Sequence, residues 1–160
     1  MIEAKIKSIK EKFNLNGKNK YIEEALFVAV YEDVSQTDFP HNFQTKETEK
    51  PNRILALIGD RFLKLVLTVE EKKKTDNIDE LNKFVNDHES DKYLAGLNIV
   101  NQFDGYAKEN GVVVENKKRD TKVIATMIEA IIGALYLNEI ENKGTNAEAW
   151  DFILKFLIKK

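Results

Sequence analysis

The chain of 160 residues contains no cysteine. A disulfide framework, a thiolate metal site and a cysteine nucleophile are therefore all excluded. Only two histidines are present, His41 and His88, so a multi-histidine metal site is impossible and a Ser-His-Asp triad has little to draw on. Any chemistry that the protein performs must use carboxylates, hydroxyls and lysines.

Glycine and proline are also scarce, with 7 and 2 residues. This scarcity argues against a turn-rich β-sandwich and favours long helices. No apolar run approaches the ~20 residues of a membrane span, and the lysine-containing N-terminus lacks the apolar region of a secretory signal. We therefore expect a soluble, intracellular protein with no membrane partner. A cytoplasmic location is favoured and a nuclear one is left open.

The sequence also lacks an excess of positive charge, because its net charge is −2. Its lysines are nevertheless clustered, with six in the first twenty residues. A second basic cluster comprises Lys117, Lys118, Arg119 and Lys122. Such clusters are more often solvated surface than phosphate contacts. We expect a lysine-rich N-terminal helix or extension over residues 1–19 and one domain over residues 20–160.

Apolar residues recur at helical spacing along most of the chain, which predicts an all-α fold. Residues 35–51 are polar and aperiodic, and they are predicted to form a surface loop. Two helices, at residues 52–68 and about 121–139, are surrounded by apolar residues on nearly every side. This pattern predicts that both are buried.

One acidic residue lies inside the apolar stretch of each helix, Asp60 within residues 52–68 and Glu129 within residues 121–138. An ionised carboxylate among apolar residues is costly unless it is paired or bound to a metal. Two converging carboxylates suit Mg²⁺, which commonly binds one or two of them and keeps several waters. The small neighbours Gly59 and Ala130 would allow backbones or a ligand to approach closely.

Structural ion pairs are the alternative explanation for both acids. Asp60 has a candidate partner in Lys64, which lies four residues later and therefore one helical turn further along. The candidate partners of Glu129 are Arg53, Arg61 and Lys122. The residues alone leave the choice between ion pairs and a site open.

The two helices also carry motifs. Residues 52–63 read N-R-I-L-A-L-I-G-D-R-F-L, and residues 122–137 read K-V-I-A-T-M-I-E-A-I-I-G-A-L-Y-L. They resemble the ribonuclease III catalytic domain, whose elements take the forms N-E-R-L-E-F-L-G-D-x-x-L and K-x-x-A-D-x-x-E-A-x-x-G-A-x-Y-L. The resemblance covers roughly residues 20–158. It implies the all-α endonuclease-domain fold of that family and a homodimer formed through the first signature helix.

The sequence departs from the family pattern at two of the four usual carboxylates. Asp60 and Glu129 match the family, whereas Ala56 and Thr126 stand at the other two positions. The short Mini-III relatives have the same alanine and threonine. By that likeness the site is reduced but working, with water in the space at Ala56 and the Thr126 hydroxyl orienting a bound water.

The resemblance implies an endoribonuclease that cleaves double-stranded or structured RNA and leaves 5′-phosphate and 3′-hydroxyl ends. Asp60 and Glu129 would be catalytic and would bind Mg²⁺, for which Mn²⁺ is a plausible substitute. Lys122 would contact phosphate or the bound water, and Lys117, Lys118 and Arg119 would bind RNA. Because the net charge is slightly negative, RNA affinity is expected to be weak, and a separate RNA-binding partner protein would supplement it.

A catalytically inactive domain is the alternative function. Such a domain would serve as an RNA-binding or dimerisation scaffold in an RNA-processing or ribosomal complex. Keeping two acids inside apolar helices costs stability, and a scaffold would gain by losing them. This argument favours the enzyme.

Overall fold

The computed structural model describes residues 19–25, 52–97 and 121–158, together with the isolated helical positions 7, 10 and 11. Most of the predicted N-terminal helix lies outside the described residues. The predicted loop at residues 35–51 and the basic residues Lys117, Lys118 and Arg119 also lie outside them.

The described residues form six α-helices and no strand, so the all-α prediction is confirmed for this part of the chain. The helices are α1 (Asn19–Ala25), α2 (Asn52–Lys72), α3 (Ile78–Glu89), α4 (Asp91–Ala95), α5 (Thr121–Lys143) and α6 (Ala147–Phe156). The two predicted apolar helices correspond to α2 and α5, and each continues about one turn beyond its predicted end. No helix in the described ranges is long and apolar enough to cross a membrane.

Two glycines set the distance between α2 and α5, which form the centre of the fold. A Cβ atom at Gly59 on α2 would lie 1.7 Å from the carbonyl oxygen of Glu129. A Cβ atom at Gly133 on α5 would lie 2.0 Å from the carbonyl oxygen of Leu55. Any side chain at either position would force the helices apart. The expected close approach beside Asp60 is therefore confirmed, and Gly59 permits it.

The core forms around α5, as its apolar sequence predicts. Residues buried on this helix include Ala125, Met127, Ile128, Ala130, Ile131, Ile132, Ala134 and Leu135. Side chains from α1, α2, α4 and α6 pack in the same cluster. Because α5 is covered on several sides at once, it needs no polar face.

The other apolar helix, α2, is only partly buried within the single chain. Four of its large apolar side chains are exposed: Ile54 (73%), Leu57 (57%), Leu65 (53%) and Val69 (37%). Their spacing puts them along one side of the helix over about 22 Å. We call these four residues the α2 apolar stripe. The prediction that α2 is buried on nearly every side is thus wrong for the chain alone, since the sequence pattern cannot distinguish a core face from an uncovered one.

Side-chain caps begin both α3 and α4, and Ser90 forms the corner between the two helices. The Asn77 side chain accepts hydrogen bonds from two backbone amides in the first turn of α3. The Ser90 hydroxyl accepts one from the amide of Tyr93 at 3.2 Å and begins α4. The hydroxyl of Tyr93 in turn donates to the carbonyl of Leu157 at 2.5 Å. The corner is therefore tied to the chain that follows α6.

The start of α6 is held both by a cap from the preceding residues and by a carboxylate from α5. The Thr145 hydroxyl accepts a hydrogen bond from the amide of Ala147 at 3.1 Å, whereas Asn146 makes no side-chain cap hydrogen bond. The Glu139 carboxylate, 1% exposed, accepts from the amides of Glu148 at 2.9 Å and Ala149 at 2.8 Å. Unpaired amides at a helix N-terminus are strong partners for a buried carboxylate.

Replacing Gly133 with alanine is expected to destabilise the fold. Alanine normally stabilises a helix by about 0.5–1 kcal/mol relative to glycine. Here the new Cβ would overlap the carbonyl oxygen of Leu55, so we expect a net loss of about 1–3 kcal/mol or more in the free energy of unfolding. Urea unfolding followed by far-UV circular dichroism measures the difference.

Gly96→Ala is the matched control. A Cβ atom at Gly96 would lie 3.3 Å from the carbonyl oxygen of Lys92, a contact that a small shift relieves. We expect a change within about 0.5 kcal/mol. Equal stability of Gly133→Ala and Gly96→Ala would contradict the close helix contact.

Candidate active site

The first acid of the site, Asp60, follows Gly59 on α2 and is held by neighbouring cations. Its Oδ2 atom lies 3.2 Å from the Nζ atom of Lys64, one turn along the helix. A guanidinium nitrogen of Arg61 lies 3.9 Å from the same oxygen, and its side chain is 70% exposed. The predicted ion pair between Asp60 and Lys64 is therefore confirmed.

The second acid, Glu129, is half-buried on α5, and its backbone carbonyl is the group against which Gly59 packs. Within the described residues, no hydrogen bond or ion pair reaches its carboxylate, so the proposed pairs with Arg53, Arg61 or Lys122 are absent there. Burial, followed by the negative charge of Asp60, raises the pKa of Glu129 to about 7. The glycine contact thus brings Asp60 and Glu129 close enough for their charges to interact.

Two more acids come from the α3–α4 corner, which the sequence analysis did not identify. Glu89 ends α3 and Asp91 begins α4, and the charges of both raise the pKa of Glu129. The Oε2 atom of Glu89 is buried and accepts no hydrogen bond from the described residues. Acids beside a helix junction are usually solvated, so their sequence positions gave no signal. Only the packing of the corner against α2 and α5 shows that they face the site.

Lys64 is the lysine that connects these acids. Its Nζ atom lies 3.2 Å from Oδ2 of Asp60 and 3.5 Å from Oε2 of Glu89. Burial lowers the pKa of Lys64, but the nearby carboxylates of Asp60 and Glu89 outweigh burial and raise it overall. Lys64 is therefore held as a cation between α2 and the end of α3.

Among the described residues, no group of three or more acids or histidines is arranged to hold a metal ion. The two positions at which the family pattern has further acids explain part of this. Ala56 is 6% exposed and packs in the core, and the hydroxyl of Thr126 donates to the backbone carbonyl of Lys122 at 2.8 Å. The carboxylates available for a cation are those of Asp60 and Glu129, with Glu89 and Asp91 nearby.

The predicted basic residues are described only in part. Lys122 is exposed in the first turn of α5. It precedes Glu129 by seven residues, which puts the two on the same side of the helix about 10 Å apart along its axis. Lys117, Lys118 and Arg119 lie outside the described residues, so their predicted contact with RNA stays a prediction.

Comparisons with known proteins agree with the two motifs. The model of the ribonuclease III domain family matches residues 53–139, which is more than half of the chain. The matched segment contains most of α2 and α5 and the corner between α3 and α4. Neither the curated proteins nor the solved structures gave a match.

The raised pKa of Glu129 predicts that the protein loses stability as the pH rises. Between the ordinary value of 4.5 and the folded value of about 7, the folded state binds more protons than the unfolded state. The free energy of unfolding therefore falls across this range. Glu129→Gln cannot ionise, and we expect it to be more stable at pH 8 by roughly 1–2 kcal/mol, a value reduced for partial access of water.

Urea unfolding at pH 5 and pH 8 without divalent cations measures this effect. Asp151→Asn, at an exposed carboxylate on α6, serves as the control and should keep the pH dependence of the native chain. An identical pH dependence for Glu129→Gln and the native protein would show that Glu129 is not desolvated.

Proposed function

Because this chain belongs to the ribonuclease III domain family, we propose that it is a metal-dependent endoribonuclease acting on double-stranded or structured RNA. The proposed reaction is hydrolysis of a phosphodiester bond: water adds to phosphorus, the bond to O3′ breaks, and 5′-phosphate and 3′-hydroxyl ends result. One observation carries this proposal. Asp60 and Glu129 lie beside the glycine contact and their charges interact, and Glu129 has no hydrogen-bond or ion-pair partner among the described residues.

The acids of the site fit Mg²⁺, with Mn²⁺ as a substitute. Asp60, Glu89, Asp91 and Glu129 carry more negative charge than Lys64 and the more distant Arg61 offset. A partly desolvated surplus of carboxylate charge favours a hard divalent cation with oxygen ligands. Such a cation, when bound, activates water and stabilises the leaving oxygen.

We assign the metal-binding and catalytic roles to Asp60 and Glu129. Both residues are on helices that pack in the core, so the backbone positions that carry their carboxylates are held by packing. Lys122, on the same side of α5 as Glu129, is proposed to contact a phosphate of the RNA or the bound water.

Lys117, Lys118 and Arg119 are proposed to contact the RNA backbone. Double-stranded RNA is recognised mainly by shape, through phosphates and 2′-hydroxyls. With a net charge of −2, the chain should bind RNA weakly and with a steep dependence on salt. A separate RNA-binding protein is proposed as the additional source of affinity.

The proposed homodimer is supported by the α2 apolar stripe. Its four residues present large apolar side chains to solvent on the helix that carries Asp60. Large exposed apolar side chains grouped on one surface mark interaction sites, and here Arg61 lies on the same side of the helix between Leu57 and Leu65. A second copy offers the same stripe, so the contact would be self-complementary about a two-fold axis. Covering the stripe in this way would also account for the all-round apolar sequence of α2.

Loss of either acid is expected to abolish cleavage. Asp60→Asn and Glu129→Gln each remove a metal ligand, and we expect the rate to fall by at least about a hundredfold. The assay incubates long double-stranded RNA with the protein and Mg²⁺ at low salt and resolves the fragments on a gel.

Asp151→Asn is the control and should cleave like the native chain, while EDTA should stop all cleavage. No metal-dependent cleavage by the native protein, under conditions in which it binds RNA or dimerises, would overturn the proposal. That result would favour the inactive scaffold. Because RNA binding or dimerisation requires a folded protein, the absence of cleavage could not then be explained by unfolding.

A charge in the middle of the stripe is expected to dissociate the dimer. Leu57→Asp would bury an unpaired carboxylate in the interface, whereas it is tolerated in the monomer, where Leu57 is 57% exposed. Sedimentation equilibrium of the native protein and the variant measures the shift from dimer to monomer.

Ile78→Asp is the matched control for the stripe. Ile78 is 65% exposed at the start of α3 and lies outside the stripe, so this variant should stay dimeric. A native protein that is monomeric at tens of micromolar would contradict the homodimer. A dimeric Leu57→Asp would show that another surface forms it.

A further inference from the structure

We propose that Lys64 is the resident cation of the active site, and that a divalent cation can bind Asp60 only by displacing Lys64 toward Glu89. This inference rests on the proposed function, since it concerns the metal site at Asp60 and Glu129. It assigns positioning roles to Lys64 and Glu89, neither of which belongs to the two signature motifs.

The first step concerns the space beside Asp60. The Nζ atom of Lys64 lies 3.2 Å from Oδ2 of Asp60, within hydrogen-bond distance. Arg61 is further away, at 3.9 Å, and its side chain is 70% exposed against 36% for Lys64. Lys64 is thus the closer and better-held cation. A metal ion that takes Oδ2 as a ligand competes with this ammonium group for the same lone pairs.

The second step concerns Glu89, which gives Lys64 a place to go. Its Oε2 atom is buried, accepts no hydrogen bond from the described residues and lies 3.5 Å from Nζ of Lys64. The side chain as a whole is 22% exposed. A buried carboxylate oxygen without a hydrogen-bond donor is stabilised when a cation moves closer to it. Lys64 can therefore leave Asp60 and strengthen its contact with Glu89. Its ammonium group then keeps a paired carboxylate when a metal binds.

The third step is the charge balance. Asp60, Glu89 and Asp91 each raise the pKa of Glu129, and among the described groups that act on it Lys64 alone lowers it. Without a divalent cation, Lys64 partly offsets the repulsion among these acids. With a divalent cation bound at Asp60 and Glu129, that role passes to the metal. The lysine then serves to neutralise Glu89.

Removing the lysine is expected to tighten metal binding. Lys64→Gln takes the competing ammonium away from Asp60, and we expect the Kd for Mn²⁺ to fall by roughly tenfold, at the lower end of what partners of metal ligands contribute. Lys64→Arg keeps the charge and should bind Mn²⁺ no more tightly than the native protein. Glu89→Gln removes the second position for Lys64 and lowers the negative charge, so its Kd should rise about tenfold.

Calorimetric titration of each protein with MnCl₂ at pH 8 gives these constants without RNA or catalysis. Lys83→Gln is the matched control, because it removes the same charge from an exposed pair with Asp87 on α3. Its Kd should stay within about twofold of the native value. A Lys64→Gln protein that binds Mn²⁺ like the native chain or more weakly would overturn the inference, as would an equal gain in Lys83→Gln.

The proposed function and this inference fail in different ways. If the native protein binds Mn²⁺ and cleaves RNA but Lys64→Gln leaves the Kd unchanged, only the inference is wrong. If Lys64→Gln binds Mn²⁺ and the native protein does not, the inference holds and the native chain is not the proposed nuclease. If neither the native protein nor Lys64→Gln binds Mn²⁺ although both are folded, the proposed function and the inference are both overturned.

Discussion

The backbone contact between α2 and α5 at Gly59 and Gly133 is the constraint on which the rest of the structure depends. It brings the carbonyl of Glu129 against the position that precedes Asp60 in the chain. The distance between the two helix backbones at the two acids is therefore set by the same contact that closes the core. Because interiors are close-packed, neither helix can move without disturbing the other. Gly59 and Gly133 therefore determine both how closely α2 and α5 pack and where the two acids lie.

Two glutamates on α5, one structural and one proposed to be functional, differ in how their charge is satisfied. Glu139 is 1% exposed, and both of its oxygens accept hydrogen bonds from the amides that begin α6. Glu129, ten residues earlier, is half-buried among other acids and has no hydrogen-bond partner among the described residues. The first carboxylate stabilises the fold, since its burial is offset by fixed donors. The second destabilises it, and this imbalance is the physical argument for a bound cation.

Sequence periodicity predicted the helices because apolar spacing reports directly on helical structure. The pair between Asp60 and Lys64 is local, so short-range spacing identified it as well. The exposed stripe on α2 was not predicted, because an apolar residue looks the same whether a core or a second chain covers it. Glu89 and Glu139 were missed for a related reason. Their roles depend on packing between helices, which spacing along one helix does not contain.

Much of the negative charge at the site comes from residues outside the two motifs, which the fold brings close to Glu129. The family pattern has four acids on the two signature helices, and here Ala56 and Thr126 replace two of them. Glu89 and Asp91 nevertheless act on Glu129 from another element, the corner that Ser90 and Tyr93 hold in position. A field at a partly desolvated group depends on distance and burial, not on which helix supplies the charge. Absence of the two motif acids therefore leaves a negative potential at Glu129, which is the potential that the proposed cation would neutralise.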